Sequence, residues 1–134
     1  MVHYGARTSH RSGRSAWLTD PMPTWSLEAT ERRLASFRDE RDWARFHTLK
    51  DLAAAIAIEA AELQELFLWQ SIDDEPALLE QRRDAVEDEL ADVMILALNF
   101  AAAAGIDVLQ AINGKIDKNE AKYPKGSSEP KRWP

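Results

Sequence analysis

Apolar residues recur at three- and four-residue intervals in four stretches of the chain, and nowhere do they alternate as a strand would. In the first stretch Leu27, Thr30, Leu34 and Phe37 share one side, with Glu31, Arg32, Arg33 and Arg38 on the other. Ser26 is a good cap for its start. The second opens at Thr48-Leu-Lys-Asp51, a capping box with Asp in place of Glu, and predicts a helix to about Trp69 or Gln70. A polar segment, 71–76, ends in Pro76, and a third helix is predicted from about Ala77 to Ala104, stopped by Gly105. Asp107 caps a fourth, which reaches Lys122 before Tyr123-Pro124 ends it. The expectation is an all-α, four-helix bundle in which the second and third helices are antiparallel neighbours.

Residues 1–24 carry His3, Arg7, His10, Arg11 and Arg14 among Ser, Thr and Gly without apolar periodicity. They are expected to be a disordered tail, loosely like an organelle transit peptide but better read as a simple extension. Residues 25–124 form the expected helical domain, and 125–134 a C-terminal tail with one aromatic, Trp133.

Composition narrows the chemistry. The 134 residues include no cysteine, which excludes disulfides, zinc–thiolate sites and thiol nucleophiles. A net charge of −6 argues against a nucleic-acid backbone as partner, yet leaves room for a small phosphorylated ligand held through metal ions. The longest apolar run, 93–106, is broken by Asn99 and Gly105 and is too short to span a bilayer. A soluble, cytoplasmic protein with no membrane partner is expected.

Acids stand out against this background. Glu59-x-x-Glu62 and Glu89-x-x-Asp92 each place two carboxylates on one helix face about a turn apart, in strongly apolar surroundings. One such pair is usually a solvated face. Two pairs on neighbouring helices, where burial penalises each charge, point instead to a bound divalent cation, and four hard oxygen donors suit Mg²⁺. Glu65 continues the spacing as a fifth donor, an outer acceptor or an ordinary exposed acid; Glu87 and Asp88 fall elsewhere on the wheel and are expected to be solvated. A di-iron carboxylate bundle would need Glu-x-x-His pairs, which are absent.

Trp43, Phe46 and Trp69 are either core residues or flat faces on which a base could stack. Lys115, Asn119 and Lys122 share a helical face that is either ordinary polar surface or a holder of phosphate oxygens.

Taken in order, Arg41-Asp-Trp43-Ala-Arg-Phe46-His47, Glu59-x-x-Glu62-Leu-x-Glu65-Leu-Phe-x-Trp69, Glu89-Leu-x-Asp92-Val and Lys115-x-Asp-x-Asn119-x-x-x-Tyr123-Pro124 resemble the MazG-like, all-α nucleoside triphosphate pyrophosphohydrolases, and within them the dCTP pyrophosphatase branch. The resemblance spans roughly residues 26–124. It implies Mg²⁺-dependent cleavage, with Mn²⁺ able to substitute, of a nucleoside triphosphate such as dCTP or a modified cytosine nucleotide to monophosphate and pyrophosphate. By that analogy Glu59, Glu62, Glu89 and Asp92 bind metal. Lys115 and Asn119 meet phosphate, with Lys122 and Tyr123 near them, and Trp43, His47 and Trp69 line the base and sugar pocket. Attack by a metal-activated water follows, with Glu62 as candidate proton acceptor and Lys115 stabilising the leaving pyrophosphate. Members of the family assemble as dimers or tetramers, with sites close to subunit interfaces.

Two positions depart from the branch. Leu34 stands where its first helix carries a nucleotide-contacting His, and Leu96 where a Tyr follows the last metal ligand by one turn. Those changes bear on base choice, leaving open the same reaction on dUTP or several NTPs. A non-catalytic nucleotide- or metal-binding oligomerisation module is the reading from another class.

Overall fold

The computed structural model describes residues 25–126. It contains α1 (Leu27–Asp39), α2 (Leu49–Glu65), α3 (Glu75–Gln81), α4 (Arg83–Ala104) and α5 (Val108–Lys122), with short 3-10 turns at Ala44–Phe46 and Ile72–Asp74. No strand occurs among the described residues, so the all-α expectation holds. The tail assigned to 1–24, and the C-terminal tail beyond 126, lie outside them.

Capping chemistry sets most boundaries. The Ser26 hydroxyl accepts the Ala29 N–H at 3.1 Å, and the Asp107 carboxylate accepts that of Gln110 at 2.9 Å. Thr48 accepts the Asp51 N–H at 3.1 Å and donates its own proton to the Asp51 carboxylate at 2.7 Å. The box therefore closes through the hydroxyl, and not through the Thr48 main chain. Gly105 terminates α4 at φ 65°, the left-handed geometry glycine adopts without a Cβ penalty.

Two expected boundaries differ. α2 ends at Glu65, not at Trp69: the chain tightens into three-residue turns, with Leu68 N–H on the Glu65 carbonyl at 3.2 Å, and Trp69 is left-handed at φ 66°. The single third helix is instead two. α3 begins two residues earlier, at Glu75, with Pro76 in its first turn, where the missing N–H is harmless, and the helix breaks at Arg82 (φ −116°, ψ 19°). The Arg82 guanidinium crosses from this break to the Leu66 carbonyl at 3.1 Å, tying the end of α2 to the α3–α4 joint.

α2 and α4 pack along each other and carry most of the tertiary structure, while α1 and α3 rest on α4. Leu52, Leu78, Leu98 and Ala101 are the buried apolar residues among those described. α5 leaves α4 at 101° and makes only marginal contact with the other elements, so Leu109, Ile112 and Ile116 stay exposed. No single described helix is long and apolar enough to cross a membrane.

Candidate metal centre and the cavity beside it

The seam between α2 and α4 brings the acids together. Glu59 from α2 and Glu89 and Asp92 from α4 each place a carboxylate oxygen within 4.8 Å of the others. Glu62 falls outside that trio yet is the strongest charged neighbour of both Glu59 and Glu89. Burial, then repulsion from Glu62, Asp92 and Glu89, holds the Glu59 carboxyl above its usual range; burial, then Glu62, Asp92 and Asp88, does the same for Glu89. Asp88 and Glu87 are both exposed, as expected; Asp88 adds the least of the named charges at Glu89, and Glu87 lies 3.7 Å from Arg83.

Nothing among the described residues neutralises this concentration of negative charge. Among the described residues no Lys or Arg forms an ion pair with any of the four acids. Glu89 Oε2 is buried and has no hydrogen-bond partner. A buried, unpartnered carboxylate oxygen is strongly disfavoured unless a cation sits against it, and an all-carboxylate donor set fits a hard divalent ion. Glu59, Glu89 and Asp92, with Glu62 beside them, are the residues that would hold it. Glu65, at the exposed end of α2, is not part of the cluster.

Asp92 also lines a cavity of about 590 Å³ between α1 and α4, together with Leu34, Phe37, Trp43, His47 and Asn99. Local backbone geometry sets its aromatic wall. The turn after α1 passes through Asp42 in the left-handed region (φ 53°), which an Asp tolerates, and returns the Trp43 N–H to the Arg38 carbonyl at 3.0 Å. Trp43 then meets Phe37 edge to face, with ring centroids 5.7 Å apart. His47 follows the 3-10 turn, and its Nδ1 is buried without a hydrogen-bond partner.

The structure thus gathers Glu59, Glu89, Asp92, Trp43 and His47 around one locality, with Glu62 at its edge. Trp69 is 92% exposed and does not line the cavity. Lys115, Asn119, Lys122 and Tyr123 all belong to α5 or its end and line neither the cavity nor the acidic cluster within one chain. Sequence reasoning treated Asn99 only as a break in an apolar run. Its position at i+7 from Asp92, which returns it to the same helical face, was the available signal.

Residues 54–132 match the MazG-like family. The chain is 42% identical over 107 residues to mouse (Mus musculus) dCTP pyrophosphatase 1, covering 78% of this chain and 61% of that protein. It is 37% identical over 123 residues to the Bos taurus dCTP pyrophosphatase 1, covering 90% and 71% respectively. It therefore spans somewhat less than two thirds of the mouse relative's length. The crystal structure of a pyrophosphatase from Archaeoglobus fulgidus is similar with a TM-score of 0.72 and 46% identity, covering 74% of this chain and 93% of that one.

Proposed function

The chain belongs to the MazG-like family, and from that premise we propose that it is a nucleoside triphosphate pyrophosphohydrolase whose catalytic domain is residues 25–124. The reaction is hydrolysis of a deoxynucleoside triphosphate, dCTP or a modified cytosine nucleotide, to the monophosphate and pyrophosphate. The observation that carries this reading is the convergence of Glu59, Glu89 and Asp92 within 4.8 Å at a cavity walled by Trp43 and His47. The dCTP pyrophosphatase relatives and the archaeal pyrophosphatase support it.

Each residue's task follows from its chemistry. Glu59, Glu89 and Asp92, with Glu62 completing the set, hold Mg²⁺, for which Mn²⁺ can substitute. The ion supplies charge neutralisation for the triphosphate and a bound water of lowered pKa. Glu62, which stands beside the trio rather than in it, accepts a proton from the attacking water. Trp43 offers the base a flat face, and His47 a polar atom in the same cavity wall.

Lys115 and Asn119, with Lys122 and Tyr123, bind phosphate, and Lys115 stabilises the departing pyrophosphate. They ride on a helix that bends 101° away from α4 and keeps Leu109, Ile112 and Ile116 exposed. An apolar helix face of that kind needs cover, and a second copy of the chain in a dimer or dimer-of-dimers supplies it, bringing α5 to a neighbour's carboxylates. Trp69, on an exposed turn, joins a base pocket only across the same interface.

Leu34 and Leu96, the two departures from the dCTP branch, both line the cavity, and this keeps as a second reading the same reaction on a different base such as uracil. A panel of dNTPs and NTPs with Mg²⁺, each repeated in EDTA, tests the proposal. Cleavage lost in EDTA supports it, with the best substrate fixing the base. Binding without product under Mg²⁺ would replace it with a non-catalytic nucleotide-binding module.

A further inference from the structure

Asn99 is the buried polar residue among those described, at 8% exposure. Its carboxamide makes no hydrogen bond to any described residue, so its donor and acceptor are left to whatever fills the cavities it lines. It lines the cavity that holds Trp43, His47 and Asp92, and also a smaller one of about 390 Å³ bounded by Glu31, Arg32 and Ile106. Along α4 it stands two turns beyond Asp92 on the same face, about 10 Å away by the helical rise.

Two polar groups near Asn99 on the wall are already engaged, whereas His47 Nδ1, on the Trp43 side, is also without a partner. The Thr30 hydroxyl donates to the Ser26 carbonyl at 2.9 Å, and the Arg38 guanidinium is held on Asp39 at 2.7 Å. Leu34, Phe37, Ile95 and Leu96 offer no hydrogen bonds at all. The cavity therefore combines the Asp92 carboxylate, an aromatic ring at Trp43 and, two turns along α4 from Asp92, an amide with no partner in the described chain, which are the groups a nucleotide's metal-bound phosphate, base face and base edge need. A carboxamide presents a donor and an acceptor side by side. Cytosine presents the complement, a ring-nitrogen acceptor beside an exocyclic amino donor.

We infer that Asn99 is a specificity-determining residue whose carboxamide, inside the α1–α4 cavity, pairs with the amino and ring-nitrogen edge of a cytosine-type base. This rests on the proposed nucleotide reading and assigns the base selection that Leu34 and Leu96 cannot make.

The test is a cycle between side chain and base. Wild type and Asn99→Leu are each given dCTP and its analogue lacking the 4-amino group, and kcat/KM is compared within each preparation. The ratio is unaffected by the fraction of folded protein; if the Leu variant yields no helical protein, Asn99→Ala takes its place. Wild type is expected to favour dCTP by about 10-fold or more, since a buried hydrogen-bonding group is left unpaired by the analogue, and the variant to show a ratio near one. The same ratio in wild type and variant would overturn the inference while leaving the proposed reaction standing. Binding of dCMP and the corresponding analogue monophosphate, measured by calorimetry, reads the same cycle without turnover. It decides the role of Asn99 even if wild type cleaves no triphosphate.

Discussion

Glu59 on α2 and Glu89 on α4 bring carboxylate oxygens within 4.8 Å of each other, and among the described residues no Lys or Arg is paired with either. Both carboxyls are held above their ordinary range by burial and by neighbouring acids. Their protons are therefore bound more tightly in the folded than in the unfolded chain. Stability from these groups is present at low pH and is lost as pH rises from the unfolded value through the raised folded one. In EDTA, thermal unfolding of wild type should show a steeper fall in Tm from mildly acidic to neutral pH than Glu59→Gln does. Parallel Tm profiles would remove these carboxylates from the account.

Replacing Glu89 by Gln separates stability from function at one position. Removing a charge from a repelling cluster raises the Tm of the metal-free protein, whereas losing a metal ligand lowers kcat/KM by about 100-fold or more and abolishes the Tm rise on adding Mg²⁺. Retained Mg²⁺ stabilisation in Glu89→Gln would exclude Glu89 as a ligand.

The Arg82 hydrogen bond to the Leu66 carbonyl joins the end of α2 to the α3–α4 break. It is solvent-accessible, so its loss in Arg82→Ala is expected to cost about 1 kcal/mol, below the usual value for a charged donor. Chemical denaturation measures this, and an unchanged midpoint would mean that the contact only decorates the joint.

At the start of α2, Thr48→Ala removes a cap worth about 1 kcal/mol, and Thr48→Ser restores it. The Thr48 hydroxyl and then Lys50 also hold the Asp51 carboxyl below its usual range. The stability Asp51 adds is present above its unfolded pKa and lost as pH falls through the lowered one. Thr48→Ala should therefore lose less stability on acidification than wild type, as followed by circular dichroism. An equal acid loss would contradict the link.

Much of this molecule is legible in its sequence because its determinants are local. Ser26, Thr48, Gly105 and Asp107 each act within one turn, and the acid spacings bring Glu59, Glu89 and Asp92 together because α2 and α4 are regular where they meet. The break at Arg82 is invisible because Glu80-Gln-Arg-Arg-Asp84 are all compatible with helix and the guanidinium that joins it to α2 acts over 16 positions. Trp69 deceived for a related reason: nothing in Leu66-Phe-Leu-Trp69 opposes helix, yet the chain turns left-handed there. The departure of α5 depends on a 101° bend after Gly105 that no periodicity encodes. Asn99 went unread as chemistry because one polar residue in an apolar helix acquires meaning only when a cavity opens beside it.

That departure of α5 makes the phosphate-binding assignment testable by mixing. Lys115→Ala and Glu89→Gln are each expected to lose most activity alone. If α5 serves a neighbouring copy, unfolding and refolding the two variants together restores a fraction of wild-type turnover through sites that combine intact halves. Equal mixtures with no recovery would place Lys115 and Glu89 in one chain's site, or remove Lys115 from it.

The central claim is the reaction itself, and phosphorus NMR of dCTP with the full chain and Mg²⁺ reads it directly. The account predicts dCMP and pyrophosphate appearing in equal amounts and ceasing on addition of EDTA. Formation of dCDP with inorganic phosphate, or an unchanged triphosphate spectrum across the nucleotide panel, would contradict it.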